Sequence, residues 1–352
     1  MRVTTRLNPK IDMIKKRMMG RTGLKLSELC LGTLNFGWKT DEKTAFAILD
    51  AYHASGGNFI QATNYSPEAF LPSTAVTQSE TIVGRWWTSR SIRRGDLFLA
   101  TRIHIRQAAD ASDGGFIKLV REACRESLRR FQTNYLDLVI FEWNDGLVPI
   151  RETLDAFDRV VRTGLVRYIG AGNFPTWRVV DILGRAYLRN HVRVEALQSD
   201  YSLMTRARFE PEAMTLCQEQ RLGFFARSPL AGGFLARRWD LETMIHPVRR
   251  DWVMERFGNA YGDTAQAVVA DVAARHEASS AQVALSWVLH NPAVTAAVIG
   301  VHSVTQLGEL IAATALALST ADLEQLDHAT AAEEVRVGPE ITRVSPGELV
   351  RN

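Results

Sequence analysis

Eight short runs rich in Val, Ile, Leu and Phe, separated by longer segments of helical period, constrain this 352-residue chain more than any other feature. The runs fall at residues 29–31, 58–60, 97–101, 136–140, 167–170, 194–197, 223–226 and 297–300. Amphipathic segments lie between them, among others at 44–54, 117–130, 153–162, 176–187 and 281–289. Within 117–130, Val120, Cys124 and Leu128 recur every fourth residue, the stripe of a helix buried along one side. Runs that are apolar throughout belong to strands covered on both faces, and a helix after each strand makes the sheet parallel. Eight such units predict an α/β protein closed into a (β/α)8 TIM barrel rather than an open doubly wound sheet. No GxGxxG turn follows the first run, which also argues against a dinucleotide-binding open sheet.

The flanks have their own patterns. Residues 1–16 read as a solvated leader, because Arg2, Arg6, Lys10, Lys15, Lys16, Arg17 and Arg21 bunch at this end with no apolar signal-peptide core behind them. The segment MMGRTGLKLSE alternates around a glycine-containing turn and predicts an N-terminal β-hairpin plugging the bottom of a barrel domain over 17–332. Residues 239–261 lack clean periodicity and read as a long loop over the C-terminal face. Residues 333–352 read as an irregular C-terminal extension near that face.

Charge and cysteine usage narrow the function classes. A net charge of +3 gives no electrostatic case for nucleic acid or an anionic membrane as partner. No stretch approaches the length of an apolar membrane span. Cys30, Cys124 and Cys217 are odd in number and widely spaced. Cys30 and Cys124 sit in apolar surroundings and read as small core residues, which suits a reducing cytoplasm. His104, His246 and His290 show no metal-ligand spacing, so no metal site is expected. The pattern is silent on oligomeric state.

In a barrel of this kind the chemistry sits on the loops after the strands. Those places hold LGTLNFG (31–37), GGNFIQATNY (56–65), SETIVGRW (79–86), LFLATR (97–102) and YLDLVIFEWND (135–145). GLVRYIGAGNF (164–174), LQSDYSLMTR (197–206), SPLAGGFL (228–235) and AVIGVHSVTQL (297–307) follow. In this order and spacing the nine blocks resemble the aldo-keto reductases over nearly the whole chain, from about residue 17 to residue 330. The resemblance implies a nicotinamide cofactor held extended across the barrel mouth and reduction of a small-molecule carbonyl. Hydride goes to the carbonyl carbon while a Tyr, tuned by a buried Lys–Asp pair and a His, gives a proton to the oxygen.

Carried over position by position, the resemblance places Gln61 where the family has Asp, Arg102 where it has Lys and Glu142 where it has His. Tyr65 remains, one residue closer to the strand than the family spacing. Gln61 cannot balance a buried cation. Arg102 stays charged at any accessible pH, so it can stabilise an oxyanion but cannot act as acid or base. Glu142 either pairs with Arg102 or, buried beside Tyr65 without a partner, has a raised pKa and donates a hydrogen bond. A family branch with Glu in place of His reduces conjugated carbon–carbon double bonds, but it keeps the Asp and Lys.

The implied NADP(H) site is half kept. Gly32, Thr33, Asn173, Gln198, Ser228, Leu230, Gly232 and Gly300 match, with Gln306 nearby. Arg227 replaces the aromatic that stacks on nicotinamide, Gly172 replaces a Ser, and His302 with Ser303 stands where a basic residue grips the 2′-phosphate. Leu310 replaces an Asn near adenine. Losing a stack and a clamp, each worth about 1–3 kcal/mol, weakens binding by a factor of about a hundred or more. Trp143, and beyond it Trp86, are the candidate substrate contacts. Three readings stay open: an NADP(H)-dependent reductase of a ketone, enone or imine; a redox-neutral enzyme using Tyr65, Glu142, Arg102 and Arg227 for dehydration, isomerisation or cyclisation; and a regulatory protein without catalysis.

Overall fold

The computed structural model of the chain describes residues 13–64, 77–104, 115–142, 148–236 and 247–331. A two-stranded antiparallel ribbon opens it: β1 (Lys16–Met18) pairs with β2 (Lys25–Ser27), with Arg17 opposite Leu26. The barrel strands follow as β3 (Leu29–Gly32), β4 (Phe59–Thr63), β5 (Phe98–Ile103), β6 (Leu136–Glu142), β7 (Val166–Gly172), β8 (Val194–Asp200), β9 (Gly223–Arg227) and β10 (Ala296–Gly300). They run parallel in chain order and close through β9–β10 and β10–β3. Each of the eight apolar runs is thus a barrel strand, and the predicted (β/α)8 architecture with its N-terminal hairpin is the one observed.

Helices surround the barrel: α1 (Glu42–Ala54), α2 (Gln78–Ser89), α3 (Gly115–Phe131), α4 (Ile150–Arg162), α5 (Thr176–Arg189) and α6 (Ala213–Gln220). After β9 come α7 (Pro247–Phe257), α8 (Ala260–Arg275) and α9 (Ser280–His290), and after β10 come α10 (Val304–Ala312) and α11 (Thr320–Ala329). On α3, Val120, Cys124 and Leu128 are buried as their spacing predicts. The third cysteine, Cys217, is buried as well, and all three thiols are free. No single helix among the described residues is long and apolar enough to cross a membrane.

The reading of 239–261 as a loop is wrong over its second half, where α7 occupies Pro247–Phe257 and α8 begins at Ala260. Pro247 suits a first helical position, where no backbone N–H is needed. Val253 and Phe257, four residues apart, are both buried, and the Phe257 ring lies 5.7 Å from that of Phe234. Two buried positions among the described side chains of a short, charged helix leave too faint a period to detect in sequence. The leader before residue 13, the first part of that segment and the tail from 333 lie outside the described residues.

Alternation along the strands decides what fills the barrel and what faces its mouth. Cys30, Phe59, Phe98, Ala100, Leu138, Ile140, Ala196, Phe225 and Ala296 form an interior cluster, closed from below by Met19 and Leu26 of the hairpin. Stepping two residues further along each strand leads to Gly32, Gln61, Arg102, Glu142, Gln198, Arg227 and, past Val298, Gly300. The sequence therefore builds an apolar plug and sets a polar layer on top of it, at the C-terminal ends of the strands.

Candidate active site

The register locks that polar layer together. Gly300 lies beside Gly32, Gly32 beside Gln61, Glu142 beside Gly172, Gly172 beside Gln198, and Asp200 beside Arg227. Above the layer opens a groove of about 370 Å³. Its lining includes Gln61, Thr63, Arg102, Asp200, Arg227, Ser228, Leu230, Gly232, Gly300, His302 and Gln306, together with Thr33, Asn35, Trp38 and Trp252.

Arg102 and Glu142 meet as an ion pair, Nε to Oε1 at 2.6 Å, with side chains 11% and 6% exposed. The other carboxylate oxygen accepts from Asn173 Nδ2 at 2.9 Å. Burial pushes the Glu142 pKa up, but the charges of Arg102 and Arg227 and these two hydrogen bonds outweigh it and hold the group below the ordinary Glu value. Of the two states open to Glu142 from sequence, the ionised acceptor is the one present. A second pair joins Arg227 Nε to Asp200 Oδ1 at 2.7 Å. Burial again raises the Asp200 pKa, and Arg227, then Arg256 and Arg208, bring it below the usual Asp range.

Gly172 belongs to the first pair. A Cβ there would stand 2.6 Å from Glu142 Oε1 and 3.0 Å from Cδ, inside any real contact distance. The missing side chain at 172 makes room for the carboxylate at 142. Between these charged pairs, Gln61 and Gln198 exchange hydrogen bonds: Nε2 of Gln61 donates at 3.2 Å, and Nε2 of Gln198 donates back at 2.7 Å. Both are buried. The amide at 61 thus serves a neutral partner and no cation.

The segment from Ser228 to Gly233 is the backbone-rich part of the lining. Ser228, Ala231, Gly232 and Gly233 all have positive φ, at 52°, 50°, 72° and 105°. A cluster of left-handed residues makes a concavity suited to anions, and non-glycine residues there carry strain that surrounding structure must sustain. The same groove is lined by the N-terminus of α10, where Ser303 Oγ accepts from Gln306 N at 3.1 Å and Gln306 Oε1 from His302 N at 2.9 Å. The side chains of Ser303 and Gln306 thus close the first turn of the helix. A helix N-terminus beside such a concavity favours phosphate. The segment and the helix N-terminus together suit a phosphate group. Asn173 and Gln198 are already bonded within the protein, each keeping a second N–H for a ligand.

Chain-wide comparison agrees with this layout. The profile of the aldo/keto reductase family matches residues 28–331. The chain belongs to the aldo/keto reductase family. It is an oxidoreductase of that family, and its relatives include an uncharacterized oxidoreductase, YrpG, of Bacillus subtilis, 34% identical over 88% of this chain and 94% of the relative. Protein tas of Escherichia coli is 31% identical over 87% and 94%. A norsolorinic acid reductase of Aspergillus flavus is 26% identical over 87% and 78%.

Within this aldo/keto reductase, Gln61, Arg102, Gly32, Thr33, Arg227, Ser228, Leu230, Gly232, Gly300, His302 and Gln306 share one groove. Glu142, Asn173 and Gln198 join it through their hydrogen bonds. Tyr65 and Trp143 lie outside the described residues. Trp86 is a correction. It is fully buried on α2, its indole N–H donating to Asp50 on α1 at 2.8 Å, so it fills the shell between two helices and contacts no substrate. Asp200 was missed, although its place two residues after Gln198 on an alternating strand puts it in the same layer. Asn35 was also missed; no period governs a loop residue.

Proposed function

We propose that this aldo/keto reductase reduces a small-molecule ketone, enone or imine with NADP(H), through a tetrad in which Gln61, Arg102 and Glu142 replace the Asp, Lys and His of the family. The observation that carries the reading is the set of left-handed residues Ser228, Ala231, Gly232 and Gly233 on a segment that lines one groove with the α10 N-terminus, Arg102 and Gln61. The phosphates would rest on that segment, and Asn173 with Gln198 would take the carboxamide. The cofactor, once bound, supplies hydride. The three free, buried cysteines accord with a reducing compartment.

Arg102 holds positive charge beside the reacting oxygen. Its bond to Glu142 fixes the guanidinium, and its fixed protonation makes it a stabiliser of developing negative charge rather than a proton source. Glu142, ionised, accepts hydrogen bonds and donates none. The proton to the substrate oxygen is therefore assigned to Tyr65, the one residue of the family's tetrad that this sequence retains. A redox-neutral reaction is the second reading. One observation favours it: the Gln61–Gln198 pair occupies an amide that a nicotinamide needs.

Calorimetric titration of NADPH and NADH into the purified protein tests the first reading. Binding of NADPH below millimolar concentration, followed by carbonyl-dependent loss of absorbance at the dihydronicotinamide band, is the expected result. No binding of either nucleotide, with substrate turned over in their absence, would replace it by the second.

A further inference from the structure

Helix α5 packs on the barrel with one face and carries an apolar stripe on the other. Val179, Ile182 and Ala186 are buried in the core. On the outward face Trp177, Val180, Tyr187 and Leu188 are 62%, 51%, 87% and 82% exposed, and Gly184 is exposed among them. Trp177, Val180, Gly184 and Leu188 follow at steps of three or four residues, with Tyr187 beside the last, so they form a single stripe along the helix. Eight large apolar side chains are exposed among the described residues, and half of them are on this helix. Apolar residues scattered singly over a surface are ordinary, whereas a contiguous stripe marks a contact surface.

The stripe is complementary to itself. Val180 is its bump and Gly184 its notch, since a Cβ on Gly184 would meet nothing within 4 Å. Val180 and Gly184 lie equally far from position 182, and so do Trp177 and Tyr187. A two-fold axis at that level sets two α5 helices antiparallel. It seats each Val180 on the other copy's Gly184 and brings each Trp177 against the other copy's Tyr187. We propose that α5 is a homodimer interface, packed antiparallel against a second copy of this chain through Trp177, Val180, Gly184, Tyr187 and Leu188. Such isologous pairing is the commonest arrangement among soluble oligomers. At these exposures the stripe offers about 500 Å² per copy. A pair then covers about 1,000 Å² in all, the lower limit of a specific interface, which makes the dimer a reversible one of micromolar affinity. The flanks are basic, with Arg178, Arg185 and Arg189 against Asp181, so two copies repel at low salt and screening strengthens the pair.

Sedimentation velocity of the full chain from about 1 to about 100 μM, at low and high salt, is the test. A monomer–dimer equilibrium that tightens as salt is added is the expected result. Trp177→Glu puts an acidic residue in the first turn of the helix, where it is well tolerated. It is expected to raise the dimer Kd about 30-fold or more with the melting temperature of the monomer unchanged. Gly184→Val fills the notch and should weaken the dimer about ten-fold. Adding Val180→Ala to that chain exchanges bump and notch and should recover most of the loss, a rescue that a merely structural role for Gly184 would not produce. A protein monomeric at every concentration, or a dimer indifferent to Trp177→Glu, overturns the assignment. So does a double variant no better than Gly184→Val alone. Binding of the monomer to vesicles of anionic phospholipid, weakened by salt, would give this face to a lipid surface and overturn it too.

Discussion

Restoring a side chain at position 172 tests whether Gly172 and Glu142 form one unit. In Gly172→Ala the new Cβ meets Glu142 Oε1 at 2.6 Å, Glu142 Cδ at 3.0 Å and Ile140 Cγ2 at 3.1 Å. The last contact yields with a few tenths of an ångström of movement. The first cannot, because Oε1 is held by Arg102 at 2.6 Å and Oε2 by Asn173 at 2.9 Å. The carboxylate must leave, and losing one partner of a buried ion pair costs about 3–5 kcal/mol. Overpacking alone costs about 1–3 kcal/mol. A loss of about 3 kcal/mol is expected, read from urea unfolding at constant m value. The decisive comparison is the same substitution in a Glu142→Ala background, where the clash partner is absent and Gly172→Ala should cost below about 1 kcal/mol. The coupling between the sites is then about 2 kcal/mol or more. Equal costs in the two backgrounds would refute the argument that glycine is present at 172 to accommodate the carboxylate.

Three further outcomes follow from the same geometry. Glu142 and Asp200 have folded pKa values below their ordinary ones, so the stability they contribute is present above about pH 4 and lost as pH falls through the folded values; melting temperature should drop steeply below pH 4, and less steeply in Glu142→Gln. Gly232→Ala forces a side chain onto φ 72° with its Cβ 2.9 Å from Val253 Cγ2, and should destabilise the protein by about 1–3 kcal/mol while weakening NADPH binding in titration. Trp86→Phe removes the bond to Asp50 and should lower the melting temperature while leaving the KM of any substrate unchanged; a changed KM would restore Trp86 to the mouth.

Most of the architecture was legible because it rests on periodicity. The eight strands are apolar on both faces, so their runs stand out, and the hairpin shows its alternation around a turn. The polar layer was legible in a different way: motif blocks located Gln61, Arg102, Glu142 and Gln198, and parity along the strands explains why they converge. Helix α7 was not legible, since among its described side chains only Val253 and Phe257 are fully buried, with Trp252 packed partly against the core. The state of Glu142 was not legible either. Ionised and protonated forms both fit a carboxylate among apolar residues until the 2.6 Å contact with Arg102 is known. Trp86 misled because an aromatic inside a motif block looks functional, and only burial between helices shows that it is packing.

The Gln61–Gln198 pair has a consequence for how the mouth receives a guest. Each amide gives one N–H and takes one, so rotating both amides together by half a turn exchanges every donor for an acceptor and preserves both bonds. The pair is therefore ambidextrous. A charged Asp–Lys pair at this height would impose one polarity on whatever enters. Two facing glutamines can present either a carbonyl or an N–H to the groove, and the incoming molecule selects the orientation.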